Sequence, residues 1–460
     1  MQHPFDIAAD LDTPVSAYLK LAPLEPRFLL ESVEGGERLG RYSFIGFGET
    51  LQVNVGDGLL RIGDESEPAP GDPAGLLAAL RRALARVRRL EPGVPGLPFG
   101  GGLVGVTGFE MARRFDGPRS TLPDGGTLDA RYLAPASMLV FDHVSRRVAL
   151  LHAGAESDRQ ALRREVVELL HGPLPSRNGA AGHSDPEPSL DRDRFLGRVE
   201  RVQRHIAAGD VYQLVLSIRF EGRCDTPPFE AYRALRLLNP SPYMYYLDLD
   251  GVCVVGSSPE ALVRLDGRQA ELRPIAGTRP RGSDAAEDEM LAAELLADPK
   301  ENAEHVMLVD LARNDLGRVA VPGTVRVDPF RTIERYSHVM HIVSGTRGVL
   351  APGRDAFDLF AAAFPAGTVV GAPKIRAMEI IRELEPVPRG IYAGTAGYFG
   401  SSGSMDQAIA IRTLVFEDGR YAYQAGAGIV ADSVPAREHE EILAKGAALE
   451  AALSLAEEGL

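Results

Sequence analysis

The chain has 460 residues, of which 45% are hydrophobic and 25% charged, and its formal net charge is −14. The length suffices for two or three domains, and the acidic balance argues against nucleic acid, whose binding needs a basic surface. It does not exclude a small anionic substrate, because a local group of cations can oppose the global sign.

Cys224 and Cys253 provide neither a disulfide framework nor a zinc set, which fits a reducing cytosol. The first residues lack the basic start and apolar run of a signal peptide. The most apolar stretch, 359–373, is broken by Pro365 and falls short of the about 20 residues that a membrane span needs. We therefore expect a cytoplasmic protein without a membrane segment.

Residues 1–172 are predicted to be mixed α/β. Asp72 is a candidate N-cap, and leucines at helical spacing follow it, so 73–89 is predicted to be a helix. A second helix is expected over 157–171, and β-branched and aromatic content predicts short strands at 28–32, 41–46, 51–55, 136–141 and 147–151.

Gly100, Gly102 and Gly105 match the dinucleotide pattern G-x-G-x-x-G. That fingerprint requires a preceding strand, and three prolines stand there instead. Close backbone packing is the favoured interpretation.

Residues 173–190 have linker composition, with small and turn-forming residues and almost no large apolar side chain. We therefore predict an N-terminal part over 1–172 and a second part over 191–460. In the second part, runs of strands are separated by helices at about 192–208, 355–363, 373–384 and from 435 onward. This order favours an α+β fold over regular βαβ repeats.

Two acidic helix segments are candidate metal sites. Asp298 is a predicted N-cap with Glu301 completing a capping box, so Glu304, one turn further, is either solvated or a ligand. Glu438 and Glu441 share a face of the last helix and repel unless water or a cation lies between them. Mg²⁺ suits such carboxylates, although an exposed charged face is the commoner fate. Lys445 could pair with Glu441 or contact substrate.

Four further positions invite a chemical interpretation. Residues 424–429 are small enough for backbone N–H groups to approach an anion, although a tight turn explains them equally well. Arg412 lies in an apolar stretch predicted to be one strand, 406–415, and a buried arginine needs an anionic partner. His341 alternates with apolar residues, as core histidines do. Glu260 follows a strand and could donate a proton if desolvated.

Together these segments resemble the chorismate-utilising enzymes, and in particular the large subunit of anthranilate synthase. The matching strings are Asp210–Ser217, Pro274–Gly282, Asp298–Asp315, Phe364–Thr368, Gly371–Lys374, Ile409–Thr413 and Gly426–Pro435, with Leu29–Ser32 and Asn239–Tyr245 nearer the N-terminus. The resemblance implies an antiparallel sandwich core with helices packed outside, and an oxo-acid lyase that converts chorismate and ammonia to anthranilate and pyruvate.

The resemblance also assigns roles. Glu304 and Glu441 correspond to Mg²⁺ ligands, with Glu438 supporting them. Chorismate binding falls to Gly277, Thr278, Tyr392, Arg412, Gly426, Ala427, Gly428 and Lys445. Glu260 corresponds to the acid that protonates the departing hydroxyl, and His341 to the histidine of pyruvate elimination. Feedback inhibition by L-tryptophan would involve Glu31, Ser32, Pro242, Tyr243 and Met244.

Two positions separate this chain from other relatives. Enzymes that add water to chorismate carry Lys where Gln213 stands, since water needs a base and ammonia does not. Aminodeoxychorismate synthases commonly carry Lys at Ala276. Val370 departs from the family, which often has Ser there, and puts one local hydrogen bond in doubt.

No glutaminase segment is recognisable, so the resemblance implies a separate glutamine amidotransferase subunit that supplies ammonia. Two alternatives remain open. One is an aminodeoxychorismate synthase of the folate pathway, and the other is a non-catalytic subunit that binds chorismate or tryptophan.

Overall fold

A computed structural model describes residues 4–32, 40–115, 128–175, 182–335 and 339–460. Its helices are α1 Pro14–Lys20, α2 Pro73–Ala85, α3 Ala112–Phe115, α4 Glu156–His171, α5 Arg192–Ala207, α6 Pro228–Leu238, α7 Ala285–Ala297, α8 Pro299–Gly317, α9 Ala356–Ala363, α10 Lys374–Leu384 and α11 Pro435–Glu458. None of the described helices has the length and apolar character that crossing a membrane requires.

The strands of the first 190 residues are β1 Phe5–Ala8, β2 Pro26–Glu31, β3 Tyr42–Gly56, β4 Leu59–Ile62, β5 Glu65–Pro68, β6 Gly102–Thr107, β7 Leu128–Asp142, β8 Arg147–His152 and β9 Glu187–Pro188. Those that follow are β10 Gln213–Arg223, β11 Tyr243–Asp248, β12 Val252–Ser258, β13 Ala261–Asp266, β14 Gln269–Leu272, β15 Ile275–Pro280, β16 Arg326–Val327, β17 Thr332–Arg335, β18 Val339–Val343, β19 Thr346–Val349, β20 Gly371–Ala372, β21 Thr395–Gly400, β22 Met405–Ile409, β23 Thr413–Glu417 and β24 Arg420–Ile429.

The described strands pair antiparallel, and 21 of them join one continuous hydrogen-bonded network. Strands β15, β18 and β17 form a separate three-stranded sheet. Strands from both ends of the chain share the network, since β2 pairs with β11 and β6 pairs with β21. The predicted boundary at 173–190 stays a prediction, and its residues 176–181 lie outside the described part.

Successive side chains along a strand point to opposite faces of the sheet, so they pack in two different hydrophobic cores. Phe28 and Phe44 enter a core to which no described α-helix contributes, whereas their neighbours Leu29 and Ile45 pack in a larger core shared with the helices. The expected sandwich interior with helices outside is therefore confirmed.

The local signals that predicted helix starts are also present. Asp72 caps α2 by accepting from the Gly75 amide at 2.8 Å, and Asp298 caps α8 by accepting from the Lys300 amide at 2.9 Å. The glycine pattern near residue 100 leads into the buried strand β6. A side chain at Gly105 would collide with the carbonyl of Arg131 on β7, so the glycine serves strand packing.

One strand prediction is wrong. The stretch 406–415 is not a single strand, because the pairing of β22 ends at Ile409 and β23 begins at Thr413. Between them Arg412 takes a left-handed conformation with φ of 50°. The chain therefore turns at the arginine, whose side chain is half-buried rather than enclosed in a strand.

Candidate active site

The centre of the site is one face of the ladder between β10 and β24. Ser217 pairs with Gly426 and Val215 pairs with Gly428, so both glycines point to the face that carries Gln213 and Ser217. A Cβ at Gly426 would lie 2.5 Å from the Tyr392 hydroxyl oxygen, and one at Gly428 would lie 2.7 Å from Gln213 Nε2. The glycines therefore make room for these two side chains.

The segment 424–429 also has an open edge. Within the described residues, β23 pairs with β24 only over residues 420–423, so beyond them β10 is the neighbouring strand on one side. The carbonyl of Gly426 on the open edge accepts from Lys445 Nζ at 2.9 Å. The predicted small-residue segment is thus a strand rather than a tight turn, and its backbone faces α11. Ala427, between the glycines, is buried in the larger core.

Gln213 joins this ladder to the acidic helix. Its Nε2 donates to Glu304 Oε1 at 3.0 Å, which places the carboxylate of α8 beside the start of β10. Gln213 is 9% exposed, so the contact lies in the protein interior.

Glu301 departs from its predicted role. Asp298 receives the Glu301 amide at 3.2 Å, but the Glu301 carboxylate accepts from Arg279 Nη1 at 3.4 Å instead of closing the capping box. Burial and the nearby charge of Glu304 raise the pKa of Glu301. Arg279 also pairs with Glu294 and Asp298, which explains why this arginine does not present a free guanidinium to a substrate.

Gly277 lies at a bulge in β15, packed against α7 and α8, and the neighbouring strand β18 carries the histidine. Gly277 has φ of 68°, and a Cβ there would lie 2.9 Å from Leu295 and 3.1 Å from a Glu301 oxygen. Thr278 pairs with His341 of β18, whose Nδ1 lies 3.1 Å from the Thr278 hydroxyl and 2.9 Å from the Gly277 carbonyl. The two contacts orient the imidazole beside the predicted substrate residues. Ala276 is buried in the same strand.

Glu260 lies in a small cavity between β12 and β13. The cavity of about 40 Å³ is also lined by Thr368, by Leu308 and Leu311 of α8, and by Ile409. Positions 304, 308 and 311 follow helical spacing, so Glu304 lies on the same face of α8, one turn before the cavity. Burial raises the pKa of Glu260 to about 8, and the neighbouring Thr368 hydroxyl opposes that rise in part. The carboxyl is therefore protonated at neutral pH and can donate a proton.

Arg412 lies at the edge of the site and contacts the residue that precedes the predicted inhibitor segment. Its Nη1 donates to Asn239 Oδ1 at 3.5 Å, and its carbonyl accepts from the Ser257 amide at 3.1 Å. Asn239 ends α6, three residues before Pro242. The predicted substrate arginine thus contacts the end of α6, three residues before the predicted inhibitor segment begins.

The last helix carries the second acidic group. Glu441 pairs with Lys445 at 2.7 Å, so the lysine contacts both the carboxylate and the Gly426 carbonyl. Burial raises the pKa of Glu438, and the charge of Glu441 adds to the rise. Lys445 is thus the i,i+4 partner of Glu441, and its predicted contact with substrate stays a prediction.

The carboxylates offer the oxygen donors that a hard divalent cation prefers. Among the residues the structure describes, no three Asp, Glu, His or Cys side chains gather into a metal cluster. Glu304, Glu438 and Glu441 are thus not preassembled as a triad. Mg²⁺ usually takes one or two carboxylates and completes its shell with water and substrate oxygens, so this donor set still fits the ion.

The five predicted inhibitor residues meet in a separate cavity of about 840 Å³, lined by Glu31, Ser32, Pro242, Tyr243 and Met244 together with residues of β13, β21 and β22. The cause is strand pairing, because Glu31 of β2 lies opposite Met244 of β11. Ser32 Oγ is buried and has no hydrogen-bond partner among the described residues.

Two charged residues of this cavity, Asp406 and Arg264, were missed by sequence reasoning. Asp406 accepts from the Tyr243 hydroxyl at 3.0 Å and faces Arg264 at 3.7 Å, and burial raises the pKa of Asp406. Glu31 is held by the Tyr232 hydroxyl and by Arg236 at 3.0 Å. The available signal for Asp406 was a carboxylate inside a stretch, 406–415, that was predicted to be a strand.

Comparison with known proteins agrees with this geometry. A family model described as chorismate binding enzyme matches residues 25–451. Anthranilate synthase component 1 of Thermus thermophilus is 48% identical over 98% of this chain and 97% of its own length. The crystal structure of anthranilate synthase component I from Streptococcus pneumoniae superposes with a TM-score of 0.78 at 35% identity, covering 89% of this chain and 92% of that one. The menaquinone-specific isochorismate synthase of Escherichia coli shares the fold, with a TM-score of 0.71 at 21% identity over 96% of this chain and 92% of its own.

The chain belongs to the chorismate binding enzyme family. Within that family it belongs with the anthranilate synthase component 1 proteins. A second relative of this name, from Streptomyces coelicolor, also indicates this: it is 47% identical over 97% of this chain and 88% of its own length. The resemblance stated from the motifs is therefore confirmed, and with it the prediction of an enzyme of the anthranilate synthase type.

Proposed function

We propose that the chain converts chorismate and ammonia to anthranilate, pyruvate and water, the first step of tryptophan synthesis. The observation that carries the proposal is the glycine face of β24, which brings Gln213 and Tyr392 against one strand edge, with Glu304 and Lys445 in contact with that ladder. Similarity to full-length anthranilate synthase component 1 proteins supports the same reaction.

The two carboxylates of chorismate need cations and backbone donors. The cations are Arg412 and Lys445. The backbone donors lie at the open strand edge of Gly426–Gly428 and at the bulge of Gly277 and Thr278. Tyr392, buried beside Gly426, limits the depth of the site. A guanidinium binds a carboxylate through two parallel hydrogen bonds, so Arg412 suits the ring or side-chain carboxylate.

The reaction has two steps, amination with loss of the C4 hydroxyl and elimination of pyruvate, and different residues assist each step. Ammonia adds at C2 while the C4 hydroxyl departs, and Glu260 gives that hydroxyl its proton so that it leaves as water. A carboxyl with a pKa of about 8 holds the required proton at neutral pH. Pyruvate is then eliminated as the ring becomes aromatic, a step that His341 assists from its position beside Thr278.

Gln213 is consistent with ammonia as the nucleophile. The amide has no basic group with which to activate water, whereas ammonia already carries a nucleophilic lone pair. We propose a separate glutamine amidotransferase subunit as the source of this ammonia. The component 1 name of the relatives supports a further component.

We propose Mg²⁺ as the cofactor, held by Glu304 and Glu441 with Glu438 nearby. The cation would supply positive charge to a substrate carboxylate. The carboxylate oxygens of α8 and α11 support this choice, because Mg²⁺ prefers oxygen ligands.

We further propose that L-tryptophan inhibits the enzyme from the cavity lined by Ser32 and Pro242–Met244. A cavity of about 840 Å³ accepts an indole amino acid, and the buried Ser32 hydroxyl offers it an unused polar atom. Asn239, which contacts Arg412 of the proposed substrate site, lies three residues before Pro242 in the wall of this cavity.

Product identity tests the proposal. Purified chain supplied with chorismate, Mg²⁺ and ammonium should release fluorescent anthranilate and an equal amount of pyruvate. Accumulation of 4-amino-4-deoxychorismate would identify an aminodeoxychorismate synthase instead. Binding of chorismate without any turnover would identify a non-catalytic subunit.

A further inference from the structure

A buried ion pair lies next to Ser217 and Tyr392, on the glycine face of the site. Arg389 and Glu385 are 1% and 4% exposed in their side chains, and Arg389 Nη2 contacts Glu385 Oε1 at 2.7 Å. None of the sequence motifs that define the site includes either residue. Burying two charges costs several kcal/mol per ion before their attraction is counted, so such a pair needs an explanation beyond stability.

The guanidinium of Arg389 contacts three parts of the site at once. Nη2 donates to the carbonyl of Val215, which lies two residues after Gln213 on β10. Nη1 donates to the carbonyl of Val369, which follows Thr368 in the wall of the Glu260 cavity. The cation also lies over the ring of Tyr392, with its central carbon 5.5 Å from the ring centroid.

Glu385 fixes the orientation of that guanidinium and extends the network. Its oxygens accept from Nε of Arg389 at 2.8 Å, and from the amide and hydroxyl of Ser217 at 2.9 and 2.6 Å. Gln424 of β24 donates to the same hydroxyl at 2.8 Å. The pair is thus bonded directly to β10 and linked to β24 through the Ser217 hydroxyl, on the face where Gly426 meets Tyr392.

We propose that Arg389, oriented by Glu385, is a positioning residue that holds Gln213, the Thr368 wall of the Glu260 cavity and Tyr392 in one geometry. The inference rests on the proposed function, because it names what keeps the parts of that active site in register. A planar guanidinium with donors in fixed directions can contact three separate segments, whereas an ammonium on a flexible stem cannot.

The test replaces the whole ion pair. Arg389→Met/Glu385→Met removes both charges together, which often leaves stability nearly unchanged, whereas removing one partner strands a buried charge. We expect the variant to fold with a lowered thermal midpoint, because the carbonyls of Val215 and Val369 lose their donor. We also expect a loss of about 10²-fold in kcat/KM for chorismate, because misplacement by about 1 Å costs that much. Arg389→Lys, which keeps the charge, should not restore the rate.

A matched control comes from the N-terminal part. Lys20 pairs with Asp12 at 2.8 Å and also donates to the carbonyl of Leu170, so it too joins an ion pair to a backbone acceptor. Lys20→Met/Asp12→Leu should leave kcat/KM unchanged. Equal losses in the two double variants would overturn the positioning role and identify a general effect on folding.

Chemical rescue separates positioning from folding in a second variant. Added guanidinium should restore part of the activity of Arg389→Ala and should leave the activity of Lys20→Ala unchanged. A double variant that folds and keeps the wild-type kcat/KM would overturn the proposal.

The wild type in the same assay reports on the proposed function itself, because a lack of anthranilate from it would refute that function whatever the variants do. Chorismate affinity measured without ammonium, where no turnover occurs, should weaken in the double variant and thus tests the positioning independently.

Discussion

Gln213 Nε2 lies 3.0 Å from Glu304 Oε1, so the first residue of β10 is joined to the second turn of α8. The amide reaches this carboxylate across the space left by Gly428, where a Cβ would be 2.7 Å from the amide nitrogen. Gly428, Gln213 and Glu304 are thus in consecutive contact, so a substitution on β24 is expected to displace the side chain that bonds with α8.

Gly428→Ala should displace Gln213 from Glu304. We expect kcat/KM for chorismate to fall about 10²-fold while the protein stays folded, because the contact of 2.7 Å falls on a side-chain end that can move aside. Steady-state kinetics and a thermal melt measure the two effects. Gly197→Ala on α5 is the control, since nothing lies within 4 Å of that position, and it should leave the rate unchanged. Equal kinetics in both variants would refute the argument.

Glu304→Gln should remove the dependence on Mg²⁺ together with most of the turnover. The neutral amide keeps the shape and the hydrogen-bonding reach to Gln213 but loses the charge that a divalent cation requires. Titration of activity with Mg²⁺ after chelation measures this. Glu440→Gln, on an exposed position of α11, should titrate like the wild type. Full Mg²⁺-dependent turnover in Glu304→Gln would exclude the metal assignment.

Glu260 should impose a pH limit on the reaction. With a pKa of about 8, the carboxyl loses its proton as the pH rises through 8, so kcat/KM should fall above that pH. Glu260→Gln cannot donate a proton and should be slow at every pH. A profile that stays flat to pH 9.5 in the wild type would contradict the assignment.

The same group should affect stability in a defined direction. The pKa of Glu260 is raised from an ordinary value of 4.5, so between pH 4.5 and about 8 the folded protein holds a proton that the unfolded chain has released. The free energy of unfolding should therefore decrease as the pH rises through this window. Urea unfolding at several pH values should show a smaller decrease in Glu260→Gln. Identical slopes would mean that Glu260 ionises normally in the folded state.

Ser32→Ala should weaken inhibition by tryptophan and leave synthesis intact. The buried hydroxyl has no protein partner among the described residues, so a bound ligand would gain its hydrogen bond. Such a bond contributes about 1 kcal/mol, which corresponds to an inhibition constant about fivefold higher. The uninhibited rate of the same variant is the internal control. An unchanged inhibition constant would exclude Ser32 from the inhibitor site.

Much of this architecture was predictable because local signals and tertiary structure agree. Capping residues marked the starts of α2 and α8, as the structure confirms. The boundary predicted from linker composition at 173–190 stays a prediction. The pairing of Glu438 with Glu441 on one helical face followed from spacing alone. Motif resemblance then assigned Gly277, Tyr392 and Arg412 to one substrate site, an assignment that stays a prediction.

What the sequence could not show depends on long-range pairing. The turn at Arg412 follows from two strands that bind different neighbours, β13 and β12, and nothing in the apolar string 408–415 marks it. Glu301 bonds with Arg279, 22 residues earlier in the chain, instead of its own helix start. Asp406 was missed because its partners Tyr243 and Arg264 lie on strands distant in sequence. Arg389 was missed because the carbonyls that it contacts, on Val215 and Val369, are distant in sequence, although its ion-pair partner Glu385 is only four residues away.

The pairing of β2 with β11 and of β6 with β21 has a consequence for the order in which the protein is made. When the first 190 residues have left the ribosome, each of these N-terminal strands still has one open edge, and the matching strands begin only at Tyr243 and Thr395. Open edges invite pairing with other chains until they are filled. The inhibitor cavity, which needs Glu31 beside Met244, cannot exist before that time. A nascent chain therefore exposes open strand edges over much of its synthesis, and the cavity beside Glu31 is complete only after Asp406 has been made.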